Sequence, residues 1–199
     1  MAHIDYYFST ISPYTYLAGD RLEGVAEKHG ASVTYKPLDI LGLFSRTGGT
    51  PPKDRHPSRQ VWRLQELTRQ ARKLDMSFNL KPAHWPTNQA PSAYAVIAAQ
   101  SAGGGDLAKL IRAILRSVWA DEKDVAESDV VRACLKEAGF DPALADTGML
   151  EAAETYARNL DEAVAANVFG APTFVTDTGQ NFWGQDRIED LDLHLAGKI

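Results

Sequence analysis

A single cysteine, Cys134, is all that 199 residues contain, and its isolation removes whole classes of chemistry. One thiol closes no intramolecular disulfide and forms no Cys-x-x-Cys redox pair. A basic excess is also missing: 21 Lys and Arg against 26 Asp and Glu leave a net charge of −5. Without that footprint no nucleic-acid partner is expected. No apolar run approaches the roughly 20 residues of a membrane span, so no membrane partner is expected either. The opening Met1-Ala2-His3-Ile4-Asp5 has no basic stretch leading into an apolar one, which makes cytoplasmic residence the expectation. No metal site is expected. What is present, 44% apolar and 24% charged residues, is the composition of a folded globular chain. Its length suits one large domain or a domain carrying a substantial insertion.

His3-Ile4-Asp5-Tyr6-Tyr7-Phe8-Ser9 is aromatic and β-branched and reads as a buried strand running into a Ser-Pro step. From Tyr14 to His29 the apolar residues Tyr14, Leu17, Ala18, Leu22, Val25 and Ala26 recur three or four apart, which predicts one amphipathic helix stopped by Gly30. Ser32 to Leu38 reads as a second strand, completing a βαβ unit with parallel pairing. The middle is different. Beyond a Gly/Pro-rich loop at Thr47–Pro52, helical periodicity covers Ser58–Leu74, Ser92–Ala102, Leu107–Trp119, Asp129–Ala138 and Met149–Asn167, and no strand pattern interrupts it. Strand signals return at Thr173–Thr176 and Gln180–Trp183 around an Asp-Thr-Gly turn, and Asp186–Leu195 closes the chain as a helix. The pattern is βαβ, about five helices, then ββα: an α/β domain split by an all-helical insertion.

Three loops carry chemistry. Ser12-Pro13-Tyr14-Thr15 sits where the first strand meets the first helix, and the free N–H groups of a helix start attract anions such as thiolates. Sulfur-handling folds put Cys-x-x-Cys at such a junction because the helix end lowers the thiol pKa. Here both positions are hydroxyls, so disulfide exchange is excluded, whereas a serine can still donate to a thiolate brought by a ligand. The alternative is that Ser12 caps the helix and Pro13 fills its first position. Gly170-Ala171-Pro172-Thr173 allows a cis proline before a strand, or an ordinary trans proline opening an edge strand. Trp183-Gly184-Gln185-Asp186-Arg187 precedes the last helix, where Asp186 and Glu189 fit a capping pattern and a carboxylate could also hold an ammonium group. Cys134, inside a helical stretch, reads as a small core residue.

In this order and spacing the three loops resemble the kappa-class glutathione transferases and the related 2-hydroxychromene-2-carboxylate isomerases, of the DsbA-like thioredoxin branch. The resemblance runs over nearly the whole chain. It implies a thioredoxin-like domain made of residues 1–45 and 165–199, interrupted by a helical insertion at 46–164. It implies glutathione as cofactor and a homodimer as the assembly. Ser12 would favour the glutathione thiolate. Ala171, ahead of cis Pro172, would pair through its backbone with the cysteinyl unit. Gln185 and Asp186, with the backbone at Trp183 and Gly184, would hold the γ-glutamyl end. Moving a thiol pKa from about 8.5 to about 6.5 takes roughly 2.7 kcal/mol, within reach of one hydrogen bond and a helix end.

On the substrate side, the loops at 47–54 and 81–88 stand where the family builds its pocket. Gly49 occupies a position where relatives often carry asparagine, so one expected polar contact is missing. Trp85 could wall a ring-bearing substrate, with Asp54, His84, Lys53 or Asn88 as polar contacts, or it could simply pack a loop. Arg55, His56, Arg59 and Arg63 cluster around a helix start; most such charges are solvated, and one could meet a substrate carboxylate. The implied activity is glutathione-dependent cis–trans isomerisation of an aromatic 2-oxo acid through thiolate addition, rotation and elimination. A glutathione transferase or peroxidase, and a non-enzymatic thioredoxin-like binding protein, are the alternatives.

Overall fold

The computed structural model describes residues 1–199. Its centre is a four-stranded sheet of β1 (His3–Phe8), β2 (Ser32–Pro37), β3 (Thr173–Thr176) and β4 (Asn181–Trp183), in the spatial order β2-β1-β3-β4. β1 and β2 are parallel and are joined by α1 (Pro13–Ala18) and α2 (Arg21–His29); β3 is antiparallel to β1, and β4 to β3. Between β2 and β3 run α3 (Ile40–Thr47), α4 (Pro57–Lys73), α5 (Ala90–Ala102), α6 (Leu107–Trp119), α7 (Ser128–Glu137) and α8 (Met149–Ala165). Single 3-10 turns lie at Pro52–Asp54, Pro142–Ala145 and Gln185–Arg187, the last leading into α9 (Ile188–Leu195). This is the split α/β architecture that the strand and helix periodicities predict.

Side chains alternate across a strand, so β1 feeds two cores. Ile4, Tyr6 and Phe8 join Phe174 of β3 and the apolar faces of α1, α2, α5, α6 and α9 in the main cluster. Tyr7 points the other way, into a smaller cluster with Leu38, Leu43, Ala163, Val168 and Val175, which seats α3 and the C-terminal half of α8 on the opposite face. Cys134 is buried in the main cluster, where burial pushes its thiol pKa up and keeps it protonated. β2 is an edge strand, and Gln100 of α5 covers it: its amide accepts from Tyr35 N–H (2.9 Å) and donates to Tyr35 C=O (3.0 Å).

Three local expectations are corrected. The single helix over 14–29 is two, because Gly19 at φ 64° ends α1. The carbonyls released there are taken by Arg21, which donates to Leu17 O (2.8 Å) and Ala18 O (3.2 Å). A helix not anticipated, α3, follows β2; Asp39 caps it through Leu41 N–H (3.0 Å), and Gly48 at φ 78° ends it. At the C-terminus Asp186 does not cap α9, since the 3-10 turn intervenes and its carboxylate meets Arg187 instead.

Candidate functional site

The sheet register brings the three chemically marked loops to one end of the molecule. Tyr7 faces Thr173 across the β1–β3 pair, so the chain leaving β1 toward Ser12 passes beside the chain entering β3 from Ala171. Thr173 faces Trp183 across the β3–β4 pair, which places Gly184 next to Pro172, and Gly184 N–H donates to Pro172 O (2.9 Å).

Ser12 caps α1: its Oγ accepts from Thr15 N–H at 3.3 Å. Capping and ligand binding are compatible, because a hydroxyl that accepts this bond still carries a proton to donate. The loop is held from below by a buried chain of hydroxyls. Ser9 Oγ donates to Gln89 Oε1 (2.5 Å), and Ser92 Oγ donates to Gln89 O (3.0 Å) and shares a second hydrogen bond with the hydroxyl of Thr10 (2.8 Å). With α1 only six residues long, the helix-dipole contribution expected of the longer helix is reduced, and more of any anion stabilisation falls to the Ser12 hydroxyl.

The Ala171–Pro172 peptide is cis. Ala171 lies just outside the strand ladder, and no backbone group pairs with its N–H or C=O. Trp183 is half-exposed and stacks edge-on against Phe169 (4.7 Å between ring centroids). Its indole lies so close over Gly170 that a Cβ there would come within 2.4 Å of Nε1, so residue 170 must be glycine for this loop to sit under the ring. Gly184 stands at φ 112°, a backbone conformation that residues with a Cβ rarely adopt, with Asp186 Oδ1 lying 2.5 Å from where a Cβ would be.

The other predicted residues divide. Asp186 is exposed, pairs with Arg187 (2.8 Å), and its charge reaches the phenol of Tyr14. Gln185 is buried and its Oε1 accepts from Arg21, so its carbonyl is committed to tying the α1–α2 junction to the 3-10 turn. Trp85 is brought to the Ser12 loop: its Nε1 donates to Ile11 O at 3.0 Å. His84 instead faces Asp124 (3.9 Å), whose carboxylate is held by Thr87 (2.6 Å). Asp54 sits exposed on its 3-10 turn, and Asn88 accepts from Ala90 N–H (3.1 Å) at the start of α5.

Arg63 departs from the expectation of a solvated charge. It is 8% exposed, with its guanidinium over the Trp85 ring at 5.3 Å from the centroid. With Tyr14, Arg55, Ser58, Arg59 and Trp62 it lines a cleft of about 270 Å³. Its spacing of four residues from Arg59 and eight from Arg55 was visible in sequence; its burial against an aromatic from another loop was not.

Comparisons with known proteins agree with this architecture. The model of the DSBA-like thioredoxin domain matches residues 3–196. A 2-hydroxychromene-2-carboxylate isomerase of Sphingobium xenophagum is 30% identical over 196 residues, spanning 96% of this chain and 97% of its own. Among solved structures, a selenomethionine 2-hydroxychromene-2-carboxylate isomerase superposes with a TM-score of 0.78 at 21% identity, covering 98% of this chain and 95% of that one. The cytosolic disulfide reductase DsbM of Pseudomonas aeruginosa, solved with glutathione, superposes at 0.70 with 17% identity, covering 98% of each.

Proposed function

Because this chain belongs to the DsbA-like thioredoxin domain family, with a 2-hydroxychromene-2-carboxylate isomerase as a full-length relative, we propose that it is a glutathione-dependent isomerase of an aromatic 2-oxo acid. The observation that carries this reading is the convergence of Ser12, the Ala171–cis-Pro172 loop and the Gly184–Asp186 turn at one end of the sheet.

The residues present fit glutathione. Ser12 has a proton to donate to sulfur, Ala171 offers an unpaired N–H and C=O to an extended peptide, and Asp186 is an exposed carboxylate for an ammonium group. Glutathione, when bound, would supply a thiolate for reversible addition to a conjugated double bond of the substrate, the chemistry that cis–trans isomerisation needs. Ser12 holds that sulfur as thiolate by hydrogen bonding to its charged form. Gly170 and Gly184 let Trp183 and Asp186 close over the backbone that grips the peptide. Trp85, bonded to the carbonyl beside Ser12, presents an aromatic wall next to the sulfur position. Cys134 takes no part, being buried within the core away from these loops. The protein acts in the cytoplasm as a homodimer, an assembly that follows from the family resemblance.

The test is the ultraviolet change of a hydroxychromene carboxylate on mixing with enzyme and catalytic glutathione. Turnover that requires glutathione and leaves its concentration unchanged supports the isomerase. Stoichiometric consumption identifies a transferase, and an absence of turnover with glutathione present sinks the enzymatic reading.

A further inference from the structure

Three guanidiniums stand together without a counter-charge. Arg55, just ahead of α4, and Arg59 and Arg63 in its first two turns line one cleft with Tyr14, Ser58 and Trp62. Several arginines elsewhere in the chain are neutralised: Arg116 holds Glu137 (2.7 Å), Arg132 holds Asp146 (2.8 Å) and Arg187 holds Asp186 (2.8 Å). Acidic groups do lie near the cleft, but they are taken. Glu66 is occupied by Arg69 (2.8 Å) and Gln70 (2.7 Å), and Asp186 pairs with Arg187 through Oδ2 and is the carboxylate offered to the cofactor's ammonium group. Arg55 spends one N–H on Thr50 O (2.8 Å), and Arg63 meets only the face of Trp85.

Burying a guanidinium without a partner is unfavourable, and a ring face satisfies its π surface while leaving its in-plane N–H donors unused. Burial, followed by the neighbouring charge of Arg59, pulls the Arg55 pKa down; burial is also the main cause of the lowering at Arg63. A fork of in-plane donors on a rigid guanidinium matches a carboxylate in two-point contact. The rings of Tyr14 and Trp62 in the same cleft, and Trp85 beneath Arg63, suit an aryl group attached to that carboxylate. The cleft also adjoins the thiolate-binding loop. Tyr14 is two residues from Ser12, and Trp85 bonds the carbonyl of Ile11.

We propose that this cleft binds the carboxylate of the aromatic acid, with Arg63 as the specificity-determining residue that reads it; this deepens the isomerase reading and rests on it. The carboxylates of glutathione share the same chemistry, and the experiment separates the two sources.

Tryptophan fluorescence, reporting from Trp62 and Trp85, would follow titrations with phenylpyruvate, its methyl ester and glutathione. Wild type should prefer the acid to the ester. Arg63→Met should weaken acid binding by about tenfold to a hundredfold, the worth of a charge-assisted hydrogen bond, with the ester and glutathione curves unmoved. Should Arg63→Met not fold, the paired variant Arg55→Gln with Arg59→Gln, on half-exposed and exposed positions, tests the same charge. Weakened glutathione binding with an unchanged acid curve would overturn the proposal by giving the cleft to the cofactor. Equal losses for acid and ester would overturn it too, since they would reflect packing on Trp85. If the acid preference and its loss are found while the isomerase assay stays silent, the cleft stands and only the reaction assignment fails.

Discussion

The two sides of the site are built by different means. On the sheet side, strand register brings the chain running on to Ser12 past the loop of Ala171 and sets Pro172 beside Gly184, and the groups offered are one hydroxyl and several backbone amides and carbonyls. On the α4 side, placement comes from side chains of the helix and of the turn that leads into it, and the groups offered are three unneutralised guanidiniums among aromatic rings. Backbone geometry tolerates sequence change as long as glycine stays at the two close approaches, Gly170 and Gly184. A side-chain cleft changes character with a single substitution. The sheet side therefore suits a constant peptide cofactor, and the helix side suits a variable substrate.

The largest expected break is on the sheet side. Ser12→Ala should lower kcat by about a hundredfold or more, the effect of deleting one preorganised donor to a developing or resting anion. The lost cap should cost only about 1 kcal/mol, a Tm shift of roughly 2–4 °C for a chain of this size. A large drop in Tm with full activity would reduce Ser12 to a cap. The helix-side counterpart, Arg63→Met, should act on affinity for the acid and leave kcat at saturation largely intact.

A smaller effect sharpens how the sheet side is held. Gln89→Leu leaves the buried Ser9 hydroxyl without its acceptor and should cost about 1–3 kcal/mol, read as a fall in the urea midpoint. Because Ser9 leads into the Ser12 turn, kcat should fall with stability. A stability loss with unchanged kcat would show that the hydroxyl chain supports the fold but not the site. On the helix side, Arg59→Gln removes an exposed charge, so binding of the aromatic acid should weaken about twofold to fivefold at low salt and be nearly indistinguishable from wild type near 1 M salt.

The smallest effect belongs to a contact remote from both sides and serves as their control. Asp192 on α9 meets Lys28 (2.7 Å) and His29 at the end of α2, and both lower its pKa, Lys28 more. A carboxylate with a depressed native pKa stabilises the fold above its ordinary value of 3.8 and loses that contribution as pH falls through the depressed one. Asp192→Asn should therefore lower Tm slightly at neutral pH, converge with wild type in strong acid, and leave glutathione and acid binding alone.

Much of this was legible in the linear chain, and the misses have physical causes. The strands and most helices follow from periodicity, and the Ser-Pro, Ala-Pro and Trp-Gly-Gln-Asp loops stand out by composition. The break between α1 and α2 did not, because the apolar spacing runs on through Gly19 and only the released carbonyls, gathered by Arg21, favour ending the helix there. α3 was signalled by Asp39 and Gly48 but masked by the following Gly/Pro-rich loop. His84 lies 3.9 Å from Asp124 and Asp54 faces solvent, and neither lines the cleft of Tyr14 and Arg63, a placement that no local pattern announces.

By itself, the sequence determined which chemistry was excluded and which groups were on offer. A lone apolar-flanked cysteine and a hydroxyl at the head of the first helix are matters of residue identity, and folding cannot add a thiol that is not there. Tertiary structure decided which of those groups meet. Gln185 finds Arg21 across 164 positions, and Arg63 lies on Trp85 and not in water. Such pairings depend on how helices seat on the sheet, a choice made by packing over the whole core, which no local pattern encodes.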